Sequence, residues 1–208
     1  MLFLAVARLL FGKIIVETPK YEVLKSTTNY EIRKYLPNVV AQVKYTPSQF
    51  NGDKDGGFKL LANYIGVFGN PLNKAPQKIA MTTPVITKLS SEKIQMTTPV
   101  VTKSSGGEGD DEEIVMQFIL PSKYTKAEEV PEPVDERVVI REEGEKKYGV
   151  VKFGGTATEE VVEEKVGKLK ECLEKDGVKV VGEYLLGRFN PTWTLSRFKT
   201  NELMIPVE

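Results

Sequence analysis

The order of strand-like and helical segments repeats once along this chain of 208 residues, and this repetition constrains the fold more than any other feature. Each half begins with short runs of β-branched and aromatic residues, continues with one amphipathic helix and returns to strands. Strands that outnumber helices in this way favour an α+β class, in which helices cover a sheet. We therefore predict two related units that complete one sheet or barrel, rather than two independent domains.

The first half carries three strand-like runs, at 21–24, 30–35 and 39–45. Short β-branched and aromatic runs separated by Ser, Thr, Pro and Asn are typical of strands and turns, and they predict a β-meander here. A glycine-rich break at 51–57 follows. Apolar residues then recur at helical spacing from Phe58 to Ile65, which predicts a short helix that ends near Gly66.

The second half contains the more strongly marked helix. Thr158 is a typical N-cap and is followed by Glu159 and Glu160, whose negative charges favour a helix N-terminus. Apolar residues recur every three or four positions as far as Leu173, and Gly177 supplies a left-handed stop. Strands are predicted around this helix at 138–141, 148–153, 178–181 or as far as 185, and 202–207.

A literal repeat joins the halves, since residues 78–88 return almost unchanged as residues 93–103. Two copies at so short a period do not make a solenoid, so the repeat indicates either a duplicated strand forming a hairpin around 90–92 or a duplicated binding element. Pro84 and Pro99 each remove a backbone N–H from the ladder, which predicts edge strands or bulges.

The chain contains no histidine and a single cysteine, Cys172. Missing imidazole excludes Ser-His-Asp and Cys-His catalysis and the metal sites that depend on histidine. One thiol excludes an intrachain disulfide and a Cys-x-x-Cys redox pair. With 29 basic and 29 acidic residues the net charge is zero, which argues against domain-wide binding of nucleic acid or of an anionic membrane.

The apolar N-terminus, residues 1–20, is broken by Arg8 and Lys13 before it reaches the length of a transmembrane helix. We expect an arm packed on the domain, with targeting or surface association as the alternative. Residues 21–208 then form a single domain. The acidic run at 104–113 lacks the alternating ligands of a calcium loop and is interpreted as a solvated connector.

A series of short motifs in this order resembles the SOUL haem-binding protein family over most of the chain. The motifs lie at 10–12, 16–18, 30–33, 64–65, 78–85, 118–121, 153–155, 189–191 and 201–202. The doubled segment departs from the simplest members and looks like a plant-type variant, in which we expect the first copy to hold the family's usual place.

The resemblance implies a distorted antiparallel β-barrel with two helices, built from two pseudo-symmetric halves. It also implies a cytoplasmic, non-enzymatic carrier or buffer that binds haem and other porphyrins. The expected partner is thus a tetrapyrrole small molecule, with no nucleic acid and no transmembrane span. Two other functions remain open: a binding module for small effectors or protein partners, and a tetrapyrrole-modifying enzyme with Glu202 or Glu183 as general base.

By the same resemblance, the tetrapyrrole lies in a shallow apolar groove between the first helix and the loop before the last strand. The residues predicted to contact it are Lys59, Leu60, Leu61, Tyr64, Ile65, Met81, Arg188, Phe189, Trp193, Leu195, Arg197 and Lys199. A flat macrocycle needs apolar walls and cations for its propionates. The alternatives are ordinary roles: the helix residues as core, Trp193 as a loop anchor, and Arg197 and Lys199 as solvated charges.

Iron ligation cannot use histidine in this chain. The remaining donors are Met81, Met96, Tyr64 and Cys172. Cys172 follows the apolar side of the second helix and is interpreted first as a buried small hydrophobe. We predict no fixed axial ligand and no dedicated metal site, so that metal-free porphyrin binds about as well as haem.

Overall fold

The computed structural model describes residues 16–89, 113–191 and 193–208. Its strands are β1 (Tyr21–Ser26), β2 (Glu31–Tyr35), β3 (Asn38–Tyr45), β4 (Val85–Leu89), β5 (Ile114–Ile119), β6 (Val139–Glu143), β7 (Lys146–Gly154), β8 (Leu185–Arg188) and β9 (Thr200–Pro206). The two α-helices are α1 (Gly57–Ile65) and α2 (Glu159–Lys175). The N-terminal residues 1–15, the second copy of the repeat and its expected hairpin lie outside the described residues.

The strands form one antiparallel sheet that curls into a half-barrel, in the order β1-β2-β7-β9-β8-β4-β5-β3-β6. The two halves meet where β4 pairs with β8. Each half follows the same order of two strands, one helix and two strands, beginning at β2 and at β6. The first strand of each half pairs with the other half, β2 with β7 and β6 with β3. The predicted pseudo-symmetric halves and α+β class are confirmed.

The meander expected for the first three strands is only partly right. β1 and β2 pair as a hairpin, from Tyr21 opposite Tyr35 to Ser26 opposite Glu31. β3, however, pairs with β5 and β6. The two residues between β2 and β3 carry the chain from one half to the other. Turn residues mark where a strand ends, but the long-range partner that best buries both faces decides where the next one lies.

α1 begins and ends as its spacing predicts, and glycine sets both limits. At its start, a Cβ on Gly57 would lie 2.4 Å from the Tyr45 ring and 2.7 Å from Val43, so only glycine allows this close approach. At its end, Gly66 adopts a φ of 84° and its N–H bonds to the carbonyls of Ala62 and Asn63. The helix therefore packs tightly against β3 and β5 and forms the core of the first half.

α2 covers the second half of the same sheet face. The Thr158 hydroxyl accepts a hydrogen bond from the Val161 N–H at 3.4 Å, and Gly177 follows the helix with a φ of 69°, so the predicted start and stop are confirmed. Leu169 and Leu173 are buried against β8 and β9. The predicted strand at 178–181 is wrong: Val180 makes only an isolated bridge to Val207, and the strand that follows α2 is β8.

The first copy of the repeat leads into the middle of the sheet. β4 lies between β5 and β8 and is not an edge strand, which corrects the expectation for Pro84. The missing N–H costs no ladder bond, because Pro84 precedes the strand and Val85 begins it. The Thr83 N–H bonds to the Glu17 carbonyl at 2.9 Å, so the described end of the N-terminal arm packs beside the repeat. Within the described ranges, no helix is long and apolar enough to cross a bilayer.

Candidate functional site

Arg188, at the end of β8, holds the start of α1 beside the loop at 189–199. Its Nη1 donates a hydrogen bond to the Thr87 hydroxyl at 3.0 Å and lies 3.6 Å from Asp55 Oδ1, just before the helix. The loop is closed at its far end, where the Thr200 N–H donates to Asn190 Oδ1 at 2.7 Å. The two chain segments predicted to border the groove therefore meet at one cation.

Beyond Arg188, the loop presents apolar side chains to solvent. Trp193 is 63% exposed and Leu195 is 46% exposed, while Phe189 is half-buried. Large exposed apolar side chains that cluster on one loop are typical of a binding surface. We name this area, residues 188–199 with the outer side of α1, the loop–helix surface.

The same two chain segments also carry basic side chains. Arg197 is exposed, with its guanidinium 4.7 Å from the centre of the Phe198 ring, and Lys199 is half-buried. Lys59 is exposed on α1. Lys54, which precedes α1, is in contact with Glu159. Arginine suits a carboxylate ligand best, because its planar fork can bind both oxygens.

The remaining predicted contacts divide between the helix surface and the core. Leu61, Tyr64 and Ile65 are 0%, 1% and 2% exposed and belong to the core of the first half. They face the sheet because the same helical spacing that predicts a groove wall also predicts a core face. They are buried beneath α1 and join it to the sheet. Leu60 and Met81 are half-buried and pack on the edge of that core.

The possible iron donors are dispersed. The Tyr64 hydroxyl donates to the Pro131 carbonyl at 2.7 Å, and burial raises its pKa above the ordinary value, so it is held as a neutral phenol. Cys172 packs against the core of the second half. Met96 lies outside the described residues. The part of the chain that the structure describes contains no group of three or more His, Cys, Asp and Glu side chains that could hold a metal ion.

Of the two carboxylates considered as general bases, Glu202 is already occupied. Its Oε1 lies 2.9 Å from Arg33 Nη1, and both side chains are less than a tenth exposed. This ion pair occupies the Glu202 carboxylate inside the half-barrel. Glu183 is exposed.

A second concave region, missed by the sequence analysis, lies on the sheet face opposite the helices. We name it the concave cleft. It has a volume of about 790 Å³, and Lys88, Tyr148 and Leu185 are among its lining residues. None of the twelve predicted contact residues lines it. The strict alternation of β4, which puts Ile86 and Lys88 on one face, is the sequence signal that would have indicated a lysine inside the half-barrel.

The fold defines a class of α+β proteins, in which a curled antiparallel half-barrel built from two related halves carries two helices. The sequence matches the family model described as SOUL heme-binding protein over residues 16–206. The chain therefore belongs to the SOUL haem-binding family. A search of curated protein sequences found no match.

Several solved structures share the fold at low sequence identity. The EcmrR C-terminal domain is 10% identical, with 90% of this chain and 98% of that chain covered and a TM-score of 0.56. An uncharacterized conserved protein from Listeria innocua is 12% identical, with 86% and 92% covered and a TM-score of 0.57. A hydrolase from Listeria innocua is 11% identical, with 89% and 94% covered and a TM-score of 0.53. At these identities the likeness concerns the fold alone.

Proposed function

We propose that this protein binds haem and other tetrapyrroles on the loop–helix surface, without catalysis, as a cytoplasmic carrier or buffer. Membership of the SOUL haem-binding family supports the ligand class. The observation that carries the choice of site is the exposure of Trp193, at 63%, on a loop that begins at the partly buried cation Arg188. A tetrapyrrole needs both features side by side, a flat apolar face and a positive charge.

Each side chain has a role in this proposal. Trp193 and Leu195 lie against the macrocycle, with Phe189, Leu60 and Met81 completing the apolar surface. The propionates reach outward to basic residues, which are Lys59, Arg188, Arg197 and Lys199. Leu61, Tyr64 and Ile65 keep α1 in place. Such a surface binds the periphery of the ligand and leaves the central metal without a protein ligand.

Burial on the order of 400 Å² of macrocycle contributes roughly 10 kcal/mol at about 25 cal/mol/Å². Association opposes this with a cost of about 4–15 kcal/mol. The balance is close, so the propionate contacts decide the affinity. Iron contributes little, and protoporphyrin with and without iron should bind within about tenfold of each other.

The test is a titration of the full-length protein with haem and with iron-free protoporphyrin, followed by Soret absorbance and by the fluorescence of Trp193, the only tryptophan. We expect quenching and a shifted Soret band with both ligands. Trp193→Ala should weaken binding, whereas Phe68→Ala, which removes an equally exposed aromatic ring, should not. Absence of a response to every tetrapyrrole would overturn the proposed function, and a low-spin haem spectrum would overturn the absence of an axial ligand.

A further inference from the structure

The concave cleft carries a cation, Lys88, that has no hydrogen-bonded or salt-bridged partner among the described residues. Lys88 is half-buried in β4, opposite Val115 on β5 and Leu185 on β8. Within the described ranges it makes no hydrogen bond and no ion pair, although Glu143 lies in the same cleft and attracts it at longer range. The Glu143 carboxylate instead contacts Lys146 and accepts a hydrogen bond from Gln117 Nε2 at 3.1 Å. An unpaired, partly desolvated ammonium is unfavourable until an anion joins it.

The other charges at the cleft leave an excess of free cations. Glu145 is paired with Lys34 at 2.9 Å and Glu208 with Lys179 at 2.6 Å, both outward to lysines that do not line the cleft. Arg141, like Lys88, has no hydrogen bond or ion pair to any residue that the structure describes. Among the acids at the rim, Glu183 remains free in the same sense. The free charges therefore favour an anionic guest.

The lowered pKa of Lys88 agrees with this excess of positive charge. Burial lowers its pKa below the ordinary value; Glu143 is the next-largest influence and raises the pKa, and Lys146 and Arg141 lower it. Like charges that face one another across a cleft repel, and a bound anion would relieve that repulsion.

Apolar side chains form one part of the cleft lining, beside the charged ones. Val115, Tyr148 and Leu185 form part of its lining, and Val181 stands at its rim with 47% of its surface exposed. A narrower recess continues inward from Lys88 over Ile86 and Met204. A volume of about 790 Å³ falls within the range of small-molecule sites. The cleft thus combines an apolar part with the two cations Lys88 and Arg141.

We propose that the concave cleft binds an amphipathic organic anion, with its acid group between Lys88 and Arg141 and its apolar body against Tyr148, Leu185 and Val181. This site is separate from the loop–helix surface, because none of the residues proposed to contact the tetrapyrrole lines it. The protein then has two ligand surfaces on opposite faces of one sheet, and the second accepts a monoanion with a hydrocarbon or aromatic body.

The test uses anilinonaphthalene sulfonate, a fluorescent aromatic anion, with the full chain at neutral pH. We expect Lys88→Gln to weaken probe binding about tenfold or more, and Lys88→Arg, which keeps the charge, to retain most of it. Lys170→Gln, on the exposed side of α2, is the matched control and should bind as the wild type does. Circular dichroism and the melting temperature establish that each variant is folded, since this probe also binds loosened proteins.

Displacement then tests the charge of the guest. Oleate should release the probe, and methyl oleate, which has the same chain without the anion, should not. Equal probe binding by Lys88→Gln and wild type, or equal displacement by the ester, would overturn the proposal. A haem titration of Lys88→Gln separates the two sites: an unchanged Soret response supports two surfaces, whereas parallel loss of haem and probe would place the tetrapyrrole in the cleft and overturn the loop–helix site.

Discussion

The guanidinium of Arg33 on β2 lies 2.9 Å from the carboxylate of Glu202 on β9, across the intervening strand β7. Arg33 also bonds Glu31 Oε2 at 2.7 Å and lies 4.3 Å from the centre of the Tyr21 ring. Burial alone would lower the pKa of Arg33, but hydrogen bonds to Tyr35 and Glu202 outweigh it and raise the pKa above its ordinary value. This ion pair joins the first half of the chain to the second inside the half-barrel.

Removal of one member of this pair should be costly. Glu202→Ala leaves Arg33 buried without its main counter-charge, and we expect a loss of about 3–5 kcal/mol in the free energy of unfolding, measured in urea. The double variant Arg33→Met with Glu202→Leu replaces both charges with apolar groups. Its loss in the free energy of unfolding should be much smaller than the sum of the losses of the single variants Arg33→Met and Glu202→Leu. Additive losses would show that the two charges do not interact.

A second prediction concerns the contact between α2 and β7. Leu173 is 0% exposed, and Leu173→Ala should cost about 2–5 kcal/mol. A Cβ on Gly149 would lie 2.9 Å from both Leu173 methyl groups, so Gly149→Ala should also destabilise, by about 1–3 kcal/mol. In the double variant the shortened side chain makes room for the added methyl group. Urea unfolding should therefore give a combined loss below the sum, and strict additivity would contradict this contact.

A third prediction concerns pH. Hydrogen bonds from Lys25 and Tyr30 hold the pKa of the Asp176 carboxyl below its ordinary value of 3.8 and tie the β1–β2 hairpin to the end of α2. Because the folded-state pKa is the lower one, this stabilisation is complete above 3.8 and is lost as the pH falls through the folded-state pKa. Asp176→Asn should thus melt earlier than wild type at neutral pH, and the difference should shrink below 3.8.

The matched control for this carboxylate is Glu171→Gln, an exposed acid on α2. Its melting temperature should follow that of the wild type at each pH. A difference between Asp176→Asn and wild type that is constant from neutral to acidic pH would show that the Asp176 charge is not what joins the hairpin to the helix.

A fourth prediction concerns the basic residues of the loop–helix surface. If Arg197 or Lys199 pairs with a propionate, its replacement by Ala should weaken tetrapyrrole binding by about 1.5–3 kcal/mol in a Soret titration. A ligand without propionates, such as an uncharged porphyrin ester, should not distinguish wild type from either variant. Unchanged affinity for the acid form would return that residue to the role of a solvated surface charge.

Local signals in the sequence were enough to predict both helices. Thr158 and Gly177 act within one turn of α2, and Gly66 acts within one turn of α1, so their effects are visible in neighbouring residues. Strand partners were harder, because pairing joins distant residues: β3 meets β5 and β6 rather than β2. Pro84 shows the same limit, since its neighbours do not indicate that a central strand begins one residue later.

The residues of the candidate site also differ in how well local sequence signals predicted them. Trp193 and Leu195 lie at the surface, as a loop signal predicts, and Arg188 lies close to Asp55 just before α1. Leu61, Tyr64 and Ile65 are core residues, and helical spacing alone does not tell a core face from a ligand face. The unpaired state of Lys88 depends on where Glu143 and Lys146 lie in three dimensions, which no local pattern contains.

Because β2 and β6 each pair with a strand of the other half, neither half of the chain completes the sheet alone. A cut between β5 and β6 would separate three paired strands: β2 from β7, β3 from β6 and β4 from β8. Neither fragment can close its own hydrogen-bond ladder, so the internal duplication does not yield two autonomous modules. Only the two fragments together complete the half-barrel, because β2 of the first pairs with β7 of the second, and β6 of the second pairs with β3 of the first.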